Sequence, residues 1–291
     1  MNHIMSIIRL LRPHQWVKNL FVFLPMFFSG KLFEYEAWLH STYAFIAFSL
    51  AASSIYCLND LKDVNSDRQH PVKRNRPIAS GQVSYTEALI LMITLSIASL
   101  GLSYYLKGWE VAGLILSYIL LNLAYCFKLK QISIIDVSIV STGFVIRVIA
   151  GGVANCIILS PWIILMTFLL TLFLAFAKRR DDVLIYEKDK TLVRKNITSY
   201  NLPFLNITLG ILGCMTMVCY IMYSVSPDVE ARFNCRYVYV TSFFVLAGIL
   251  RYLQLSLVDQ KSGSPTKILL ADHFIQIMTI CWIIAFIIIL Y

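Results

Sequence analysis

Long apolar runs separated by short polar stretches dominate the pattern of hydrophobic and polar positions along the 291-residue chain. Most runs reach about 20 residues, the length with which an α-helix crosses the hydrocarbon core of a bilayer. The runs are continuous and lack the apolar–polar alternation of membrane-spanning strands. The pattern therefore predicts an all-α polytopic membrane protein with nine spans. The predicted spans cover residues 17–33, 37–58, 84–106, 109–127, 132–153, 160–177, 202–225, 235–257 and 268–290.

The first of these runs differs from the others because it contains Pro25 and Gly30. Proline removes a backbone donor and glycine weakens a helix interior. This run is therefore expected to begin as a segment at the membrane interface. The whole chain, 1–291, is expected to form one transmembrane domain, with its polar chemistry in loops near 59–83 and 178–201.

Composition and charge agree with a membrane protein. Hydrophobic residues make up 58% of the chain and charged residues 14%, which leaves too few charges for a water-facing surface. The net charge is +9, and 20 of the 25 Lys and Arg residues fall on the side of the predicted spans that holds the N-terminus. The positive-inside rule then predicts a multi-pass protein of a bacterial-type plasma membrane with a cytoplasmic N-terminus. This distribution argues against a nucleic-acid surface.

A cluster of oxygen ligands follows the second apolar run. If the helix continues through residue 67, its 100° step places Asn59, Asp60, Asp63 and Asp67 within an arc of about 100°. Three carboxylates on one face repel one another unless a cation lies between them, and oxygen ligands of this kind suit Mg2+. The alternative is a solvated helix end with mixed charges. We favour a magnesium site, because the carboxylates follow a membrane span in a charge-poor chain.

Basic side chains come directly after these carboxylates. His70, Lys73 and Arg76 are among them, and such groups bind phosphate oxygens. The juxtaposition of carboxylates and cations predicts a site for a metal-bound diphosphate.

Two ionisable residues, Asp136 and Arg147, lie within the fifth predicted span. Charged groups in a bilayer are costly and usually face a polar cavity. Eleven residues make three helical turns, so both side chains return to nearly the same face about 16 Å apart. Tyr125 and Lys130 are expected to approach Asp136, which would orient a lysine or a substrate hydroxyl. A structural tie to a neighbouring helix is the alternative for both residues.

The motif Asn-Asp-x-x-Asp-x-x-x-Asp at 59–67, followed by a basic stretch and Arg-Pro-Ile-Ala-Ser-Gly at 76–81, resembles the first signature of the UbiA-type intramembrane prenyltransferase superfamily. The resemblance implies about nine transmembrane helices around a central cavity open to the cytoplasmic side. It also implies a magnesium diphosphate at the mouth of that cavity.

Further segments look like one branch of this superfamily, the decaprenyl-phosphate phosphoribosyltransferases. They include residues 11–19, 51–56, 125–130 and 147–153. Prenyltransferases proper carry a second aspartate-rich motif after the sixth span, whereas Lys178 and Arg179 open that segment here. A basic segment suits a donor with an additional phosphate. Asp182 stands where the branch usually has Glu, which weakens any role assigned to it.

The resemblance implies Mg2+-dependent transfer of 5-phosphoribose from 5-phosphoribosyl-1-diphosphate to a polyprenyl phosphate. The first alternative is prenyl transfer from an allylic diphosphate to an aromatic acceptor, and the second is a transporter that uses Asp136 and Arg147. Asp136 joins the metal-binding aspartates as a catalytic residue in this assignment. The predicted metal ligands are Asn59, Asp60, Asp63 and Asp67, and the predicted substrate-binding residues are Lys18, Asn59, His70, Lys73, Arg76, Tyr125, Lys130, Arg147, Lys178 and Arg179.

Overall fold

The computed structural model describes residues 3–69, 73–189, 196–260, 268 and 271–290. Within these ranges the regular elements are helices. Clustering of backbone contacts separates the chain into two compact units. The first unit comprises residues 1–129 and 143–159, and the second comprises 130–142 and 160–291.

The first unit is built around one long helix, α3, that is rich in small residues. Alanine and serine along this helix let neighbouring helices approach closely. The Ser99 hydroxyl donates to the carbonyl of Ala47 at 2.6 Å, and the hydroxyls of Ser54 and Ser96 lie 2.6 Å apart. The helices of this unit are α1 (His3–Leu11), α2 (Leu24–Phe28), α3 (Tyr35–Lys62), α4 (Val64–Gln69), α5 (Tyr85–Lys107) and α6 (Trp109–Phe127), with 3₁₀ helices at Pro13–Phe23 and Lys73–Asn75.

Helix α7 (Ile135–Ala154) begins in the second unit and continues into the first at Gly143. In the first unit, one face of this helix carries glycine where the 3₁₀ segment Pro13–Phe23 crosses it. A Cβ atom on Gly151 would lie 1.9 Å from the carbonyl oxygen of Val22. Only glycine permits this close approach, so Gly151 allows the 3₁₀ segment to lie against α7.

The second unit has its own apolar core, in which Phe173 and Phe176 of one helix pack with Leu205, Leu209 and Tyr252. The helix that begins at Leu202 has a polar cap, since the Asn201 side chain accepts a hydrogen bond from the backbone N–H of Phe204. The further elements of this unit are α8 (Pro161–Asp189), α9 (Leu202–Ser224), α10 (Pro227–Phe233), α11 (Ser242–Leu257) and α12 (His273–Leu290), with 3₁₀ helices at Ile197–Ser199 and Val238–Thr241. The 3₁₀ helix Leu129–Gln131 begins in the first unit and ends in the second.

Seven helices of the described part are long and apolar enough to cross a membrane, so the chain is a multi-pass membrane protein. The predicted span 17–33 is instead divided between a 3₁₀ segment and the short helix α2. The last apolar run forms α12, whose apolar segment His273–Ile289 is shorter than these seven segments. The count of nine spans remains a prediction. These seven segments are Tyr35–Lys62, Tyr85–Lys107, Trp109–Phe127, Ile135–Ala154, Pro161–Lys188, Leu202–Ser224 and Val238–Leu257.

The polar segment 178–201, predicted as a loop, is helical over its first half. Helix α8 continues to Asp189, and the charged residues Arg179, Arg180, Asp181 and Asp182 within it are buried. Arg179, for example, is held by two carboxylates within the second unit. The segment 59–83 likewise begins as helix, since α3 runs to Lys62 and α4 to Gln69.

Candidate active site

The first unit contains a buried pair of carboxylates bridged by a guanidinium group. Asp60 lies in the last turn of α3 and is 2% exposed, and Asp67 lies in α4 and is 3% exposed. The Nη1 atom of Arg76 donates to Oδ1 of Asp60 at 3.0 Å and to Oδ2 of Asp67 at 2.7 Å. One cationic nitrogen therefore joins two carboxylates that are almost inaccessible to solvent.

A second guanidinium group reaches Asp60 from the N-terminal segment. The Nη2 atom of Arg12 lies 2.6 Å from Oδ1 and 2.9 Å from Oδ2 of Asp60. Its guanidinium also lies over the ring of Tyr56, 5.1 Å from the ring centre. Both oxygens of Asp60 thus accept hydrogen bonds from positively charged donors, which keeps the buried carboxylate satisfied.

A break in the helix determines how the acidic motif is arranged. Helix α3 ends at Lys62, with Asp63 as its C-cap, so the continuous helix through residue 67 that the sequence suggested is wrong. Backbone bonds across the break, from Asp63 N–H to Asn59 O and from Asp67 N–H to Asp63 O, keep the two helices together. Among the described residues, no group of three His, Cys, Asp or Glu side chains is gathered as a metal site. The structure instead brings together Asp60 and Asp67.

The donor set of this pair fits a magnesium ion. Mg2+ is usually held by one or two carboxylates and completes its octahedral shell with water and substrate phosphates. Asp60 and Asp67 supply two buried carboxylates, and the Arg76 nitrogen bridges them. The nearby amide oxygen of Asn59 lies 3.7 Å from the Cys126 sulfur, which donates a weak hydrogen bond to it.

Arg147 is buried in the first unit and is 5% exposed. Its guanidinium donates to the Oδ1 atom of Asn19 at 2.7 Å, to the carbonyl of Gly143 at 2.7 Å and to the hydroxyl of Tyr118 at 3.1 Å. These contacts tie α7 to the 3₁₀ segment that carries Asn19. These contacts agree with the alternative interpretation of Arg147, in which it links neighbouring elements of the structure.

The second unit contains a separate buried network centred on Asp136, which is 0% exposed. Its Oδ2 atom accepts a hydrogen bond from the Nε of Arg179 at 2.8 Å, and Arg179 also donates to Asp182 at 2.9 Å. The hydroxyl of Tyr200 donates to the Oδ1 atom of Asp136 at 3.1 Å. Asp136 therefore orients an arginine, where the sequence suggested a lysine or a substrate hydroxyl.

Tyr200 also anchors the backbone before α7. Its hydroxyl accepts a hydrogen bond from the N–H of Ile134 at 2.6 Å, and Ile134 has a left-handed φ of 68°, which is rare for a β-branched residue. Burial raises the pKa of Tyr200 to about 12, so the hydroxyl stays protonated near neutral pH. A cavity of about 290 Å³ opens beside this contact. Its lining residues are Ser133, Ile134, Ser199, Tyr200, Asn201 and Phe204.

For the remaining predicted substrate-binding residues, the structure gives mainly the exposure of their side chains. His70 lies outside the described residues. Lys178 is exposed, although its neighbour Arg179 is buried. Lys18, Lys73, Tyr125 and Lys130 are half-buried.

Sequence reasoning missed two hydrogen-bond partners of the buried aspartates Asp60 and Asp136, namely Arg12 and Tyr200. Arg12 precedes Pro13 in the N-terminal segment, and its position before a proline was the only local signal that the chain turns there. Tyr200 follows a polar stretch and is far from Asp136 in the sequence. Only the folded chain brings each residue to its aspartate.

The fold and the site together define a multi-pass helical membrane protein with buried carboxylate–guanidinium networks suited to phosphorylated ligands and a divalent cation. The model of the UbiA prenyltransferase family matches residues 20–278, and the chain belongs to this family.

Curated relatives and solved structures agree with this membership. The chain is 38% identical to a decaprenyl-phosphate phosphoribosyltransferase of Mycolicibacterium smegmatis, over 97% of the chain and 91% of that protein. It is 32% identical to the decaprenyl-phosphate phosphoribosyltransferase of Corynebacterium glutamicum, over 98% of the chain and 87% of that protein. A UbiA homologue from Archaeoglobus fulgidus, solved bound to DMAPP and Mg2+, shares the fold with a TM-score of 0.73, at 18% identity, over 98% of the chain and 99% of that structure.

Proposed function

We propose that this protein transfers 5-phosphoribose from 5-phosphoribosyl-1-diphosphate to a polyprenyl phosphate of the decaprenyl type. The observation that carries the proposal is the near full-length similarity to decaprenyl-phosphate phosphoribosyltransferases at 32–38% identity. An oxygen of the lipid phosphate attacks the anomeric carbon, the bond from that carbon to the diphosphate oxygen breaks, and diphosphate leaves with the electron pair. The lipid phosphate is already anionic, so the reaction needs no strong base.

We assign the metal-binding role to the acidic motif. Asp60 and Asp67 would hold Mg2+, with Asp63 and Asn59 as further oxygen ligands of the same motif. The ion, when bound, neutralises charge on the leaving diphosphate. The fit of the two buried carboxylates bridged by Arg76 supports this assignment.

The basic residues would bind the phosphate groups of the two substrates. In this proposal Lys73, Arg76 and His70 hold the diphosphate, and Lys178 holds the 5-phosphate. We also propose that Arg179 binds phosphate, and that the Asp136 carboxylate orients the Arg179 guanidinium for this role. For the lipid phosphate we propose Lys18, Tyr125 and Lys130. Because Arg147 already donates three hydrogen bonds to protein groups, we propose that it supports the binding site from within the first unit.

The orientation follows from the distribution of charge. We propose one transmembrane domain over residues 1–291 in a bacterial plasma membrane, with the N-terminus in the cytoplasm. The concentration of Lys and Arg on that side of the predicted spans supports this orientation. It also places the proposed site on the side where a soluble phosphorylated sugar is available.

Prenyl transfer to an aromatic acceptor is the second candidate. A specific observation favours it, since the structurally similar A. fulgidus homologue was solved bound to DMAPP. The identity of 18% to that homologue, against 38% to a phosphoribosyltransferase over a similar share of the chain, ranks it second.

One assay separates the two candidates. Purified protein in nanodiscs is supplied with labelled 5-phosphoribosyl-1-diphosphate and decaprenyl phosphate, with Mg2+ or with a chelator. The expected result is a labelled lipid that forms only with the metal. If no labelled lipid forms and an allylic diphosphate is consumed with an aromatic acceptor, the phosphoribosyl proposal fails.

A further inference from the structure

The contact between Arg12 and Asp60 occupies the carboxylate that the proposed metal requires. Both oxygens of Asp60 lie within 2.9 Å of the Nη2 atom of Arg12, and Arg76 adds a third charged hydrogen bond at 3.0 Å. Guanidinium donors thus occupy three of the about four lone-pair sites of this carboxylate, so a metal ion that coordinates Asp60 competes with Arg12 and Arg76 for its oxygens.

The backbone presents Arg12 to Asp60 in a constrained geometry. Arg12 has a left-handed φ of 53°, which is uncommon for a residue other than glycine, and it connects α1 to the 3₁₀ segment. The flanking chain is fastened to α3 at Ser53, whose hydroxyl donates to the carbonyl of Leu11 at 2.9 Å and accepts from the Trp16 indole at 3.0 Å. The backbone that carries Arg12 is thus held by the surrounding fold as well as by the ion pair with Asp60.

The charges of the cluster balance in the absence of a metal. Two carboxylates, Asp60 and Asp67, face two guanidinium groups, Arg12 and Arg76. A divalent cation entering this buried site would meet two positive charges at short range, which disfavours its binding. A diphosphate reverses this balance, because its oxygens accept hydrogen bonds from guanidinium groups that leave the carboxylates.

We propose that Arg12 is a positioning residue that competes with the divalent cation for Asp60, and so makes metal binding depend on the diphosphate. This inference rests on the proposed function only in taking Asp60 as a metal ligand and a diphosphate as its companion. In the metal-free protein Arg12 holds Asp60 in place. When metal and diphosphate bind together, Arg12 exchanges the carboxylate for the diphosphate oxygens.

The test measures metal binding without any turnover. Full-length protein in nanodiscs is titrated with Mn2+ as the probe and followed by electron paramagnetic resonance, with and without inorganic diphosphate. For the wild-type chain, diphosphate should tighten Mn2+ binding. In the absence of diphosphate, the Arg12→Gln variant should bind Mn2+ about tenfold more tightly than wild type. Adding inorganic diphosphate should then raise the Mn2+ affinity of the variant by a smaller factor than it raises that of wild type. The matched control is Arg9→Gln, which changes an exposed arginine of α1 and should leave the Mn2+ affinity unchanged.

An Arg12→Gln affinity for Mn2+ that equals or falls below the wild-type value would overturn the proposal. Because neither phosphoribosyl donor nor lipid is present, the result does not depend on which group the enzyme transfers. If Arg12→Gln does not fold, backbone amide hydrogen exchange of the wild-type protein tests whether Arg12 leaves Asp60 when metal and diphosphate bind together. Peptides covering residues 8–16 should exchange faster with Mg2+ and inorganic diphosphate together than with Mg2+ alone, and equal exchange in both conditions would contradict the inference.

Discussion

The Nε atom of Arg179 lies 2.8 Å from the Oδ2 atom of Asp136, and both side chains are almost completely buried, at 3% and 0% exposure. The carboxylate has a second hydrogen bond from Tyr200, and the guanidinium has a second carboxylate in Asp182. A buried ion pair with these additional partners is costly to break from one side, because the remaining charge stays in a medium that solvates it poorly.

We therefore expect Asp136→Asn to lower the free energy of unfolding by about 3 kcal/mol. Denaturant unfolding of the protein in micelles measures this loss. The matched control is Asp228→Asn, which removes an exposed carboxylate of the second unit and should change the stability by less than about 0.5 kcal/mol. Equal stabilities of the two variants would show that the Arg179–Asp136 pair does not hold this unit together.

The buried carboxylate pair should be essential for turnover. Asp60→Asn and Asp67→Asn each remove a negative charge proposed to bind Mg2+, so we expect kcat/KM for 5-phosphoribosyl-1-diphosphate to fall about 100-fold or more. The measurement is labelled-lipid formation across a range of Mg2+ concentrations. Glu36→Gln, at an exposed position of α3, serves as the control and should behave as wild type. Retention of full activity by both aspartate variants would refute the metal assignment.

Close packing at Gly151 gives a prediction that is independent of the chemistry. A methyl group at this position would collide with the backbone of Val22, so Gly151→Ala should destabilise the protein by about 1–3 kcal/mol. Gly210→Ala is the matched control, because its added Cβ meets no atom within 4 Å and alanine favours a helix. We expect this control to be neutral or slightly stabilising. Thermal unfolding of both variants, side by side, tests the difference, and a stable Gly151→Ala protein would contradict the packing.

The partly buried ion pair of Arg251 and Asp272 should make stability depend on pH in the acidic range. Hydrogen bonds from Arg251 lower the pKa of Asp272, so its ionised form is favoured in the folded state. This stabilisation is present above the unfolded-state pKa of about 4 and is lost as the pH falls through the lowered folded-state pKa.

We expect Asp272→Asn to have a lower Tm than wild type at pH 7, and this difference to shrink as the pH is lowered below about 4. Unfolding curves at several pH values measure both melting temperatures. A difference that stays constant between pH 7 and pH 3 would show that the ionised carboxylate of Asp272 is not its source.

Hydrophobic patterning predicted most helices because a spanning helix is defined by its length and polarity, and both are local properties. The runs at 84–106 and 109–127 agree closely with α5 and α6. The run at 17–33 was harder, because it contains Pro25 and because its close approach to α7 requires Gly151, which is distant in the sequence.

The site was predictable to the extent that its residues share a motif. Asp60 and Asp67 were identified from their spacing, and Arg76 from the basic stretch that follows. The break of the helix at Asp63 was not predictable from spacing, because a continuous helix would satisfy the same pattern. The partners Arg12 and Tyr200 come from other segments, and nothing in those segments indicates which aspartate each residue contacts.

By itself the sequence determined the class of this protein: a helical membrane protein of the UbiA type with an acidic motif, since hydrophobic length, charge distribution and residue spacing are all written along the chain. Tertiary structure alone decided which charged side chains form ion pairs: Arg12 and Arg76 pair with Asp60, and Arg179 pairs with Asp136. The reason is physical. A buried charge must find a partner within a few ångströms in space, and that distance depends on how separate helices pack rather than on their order in the sequence.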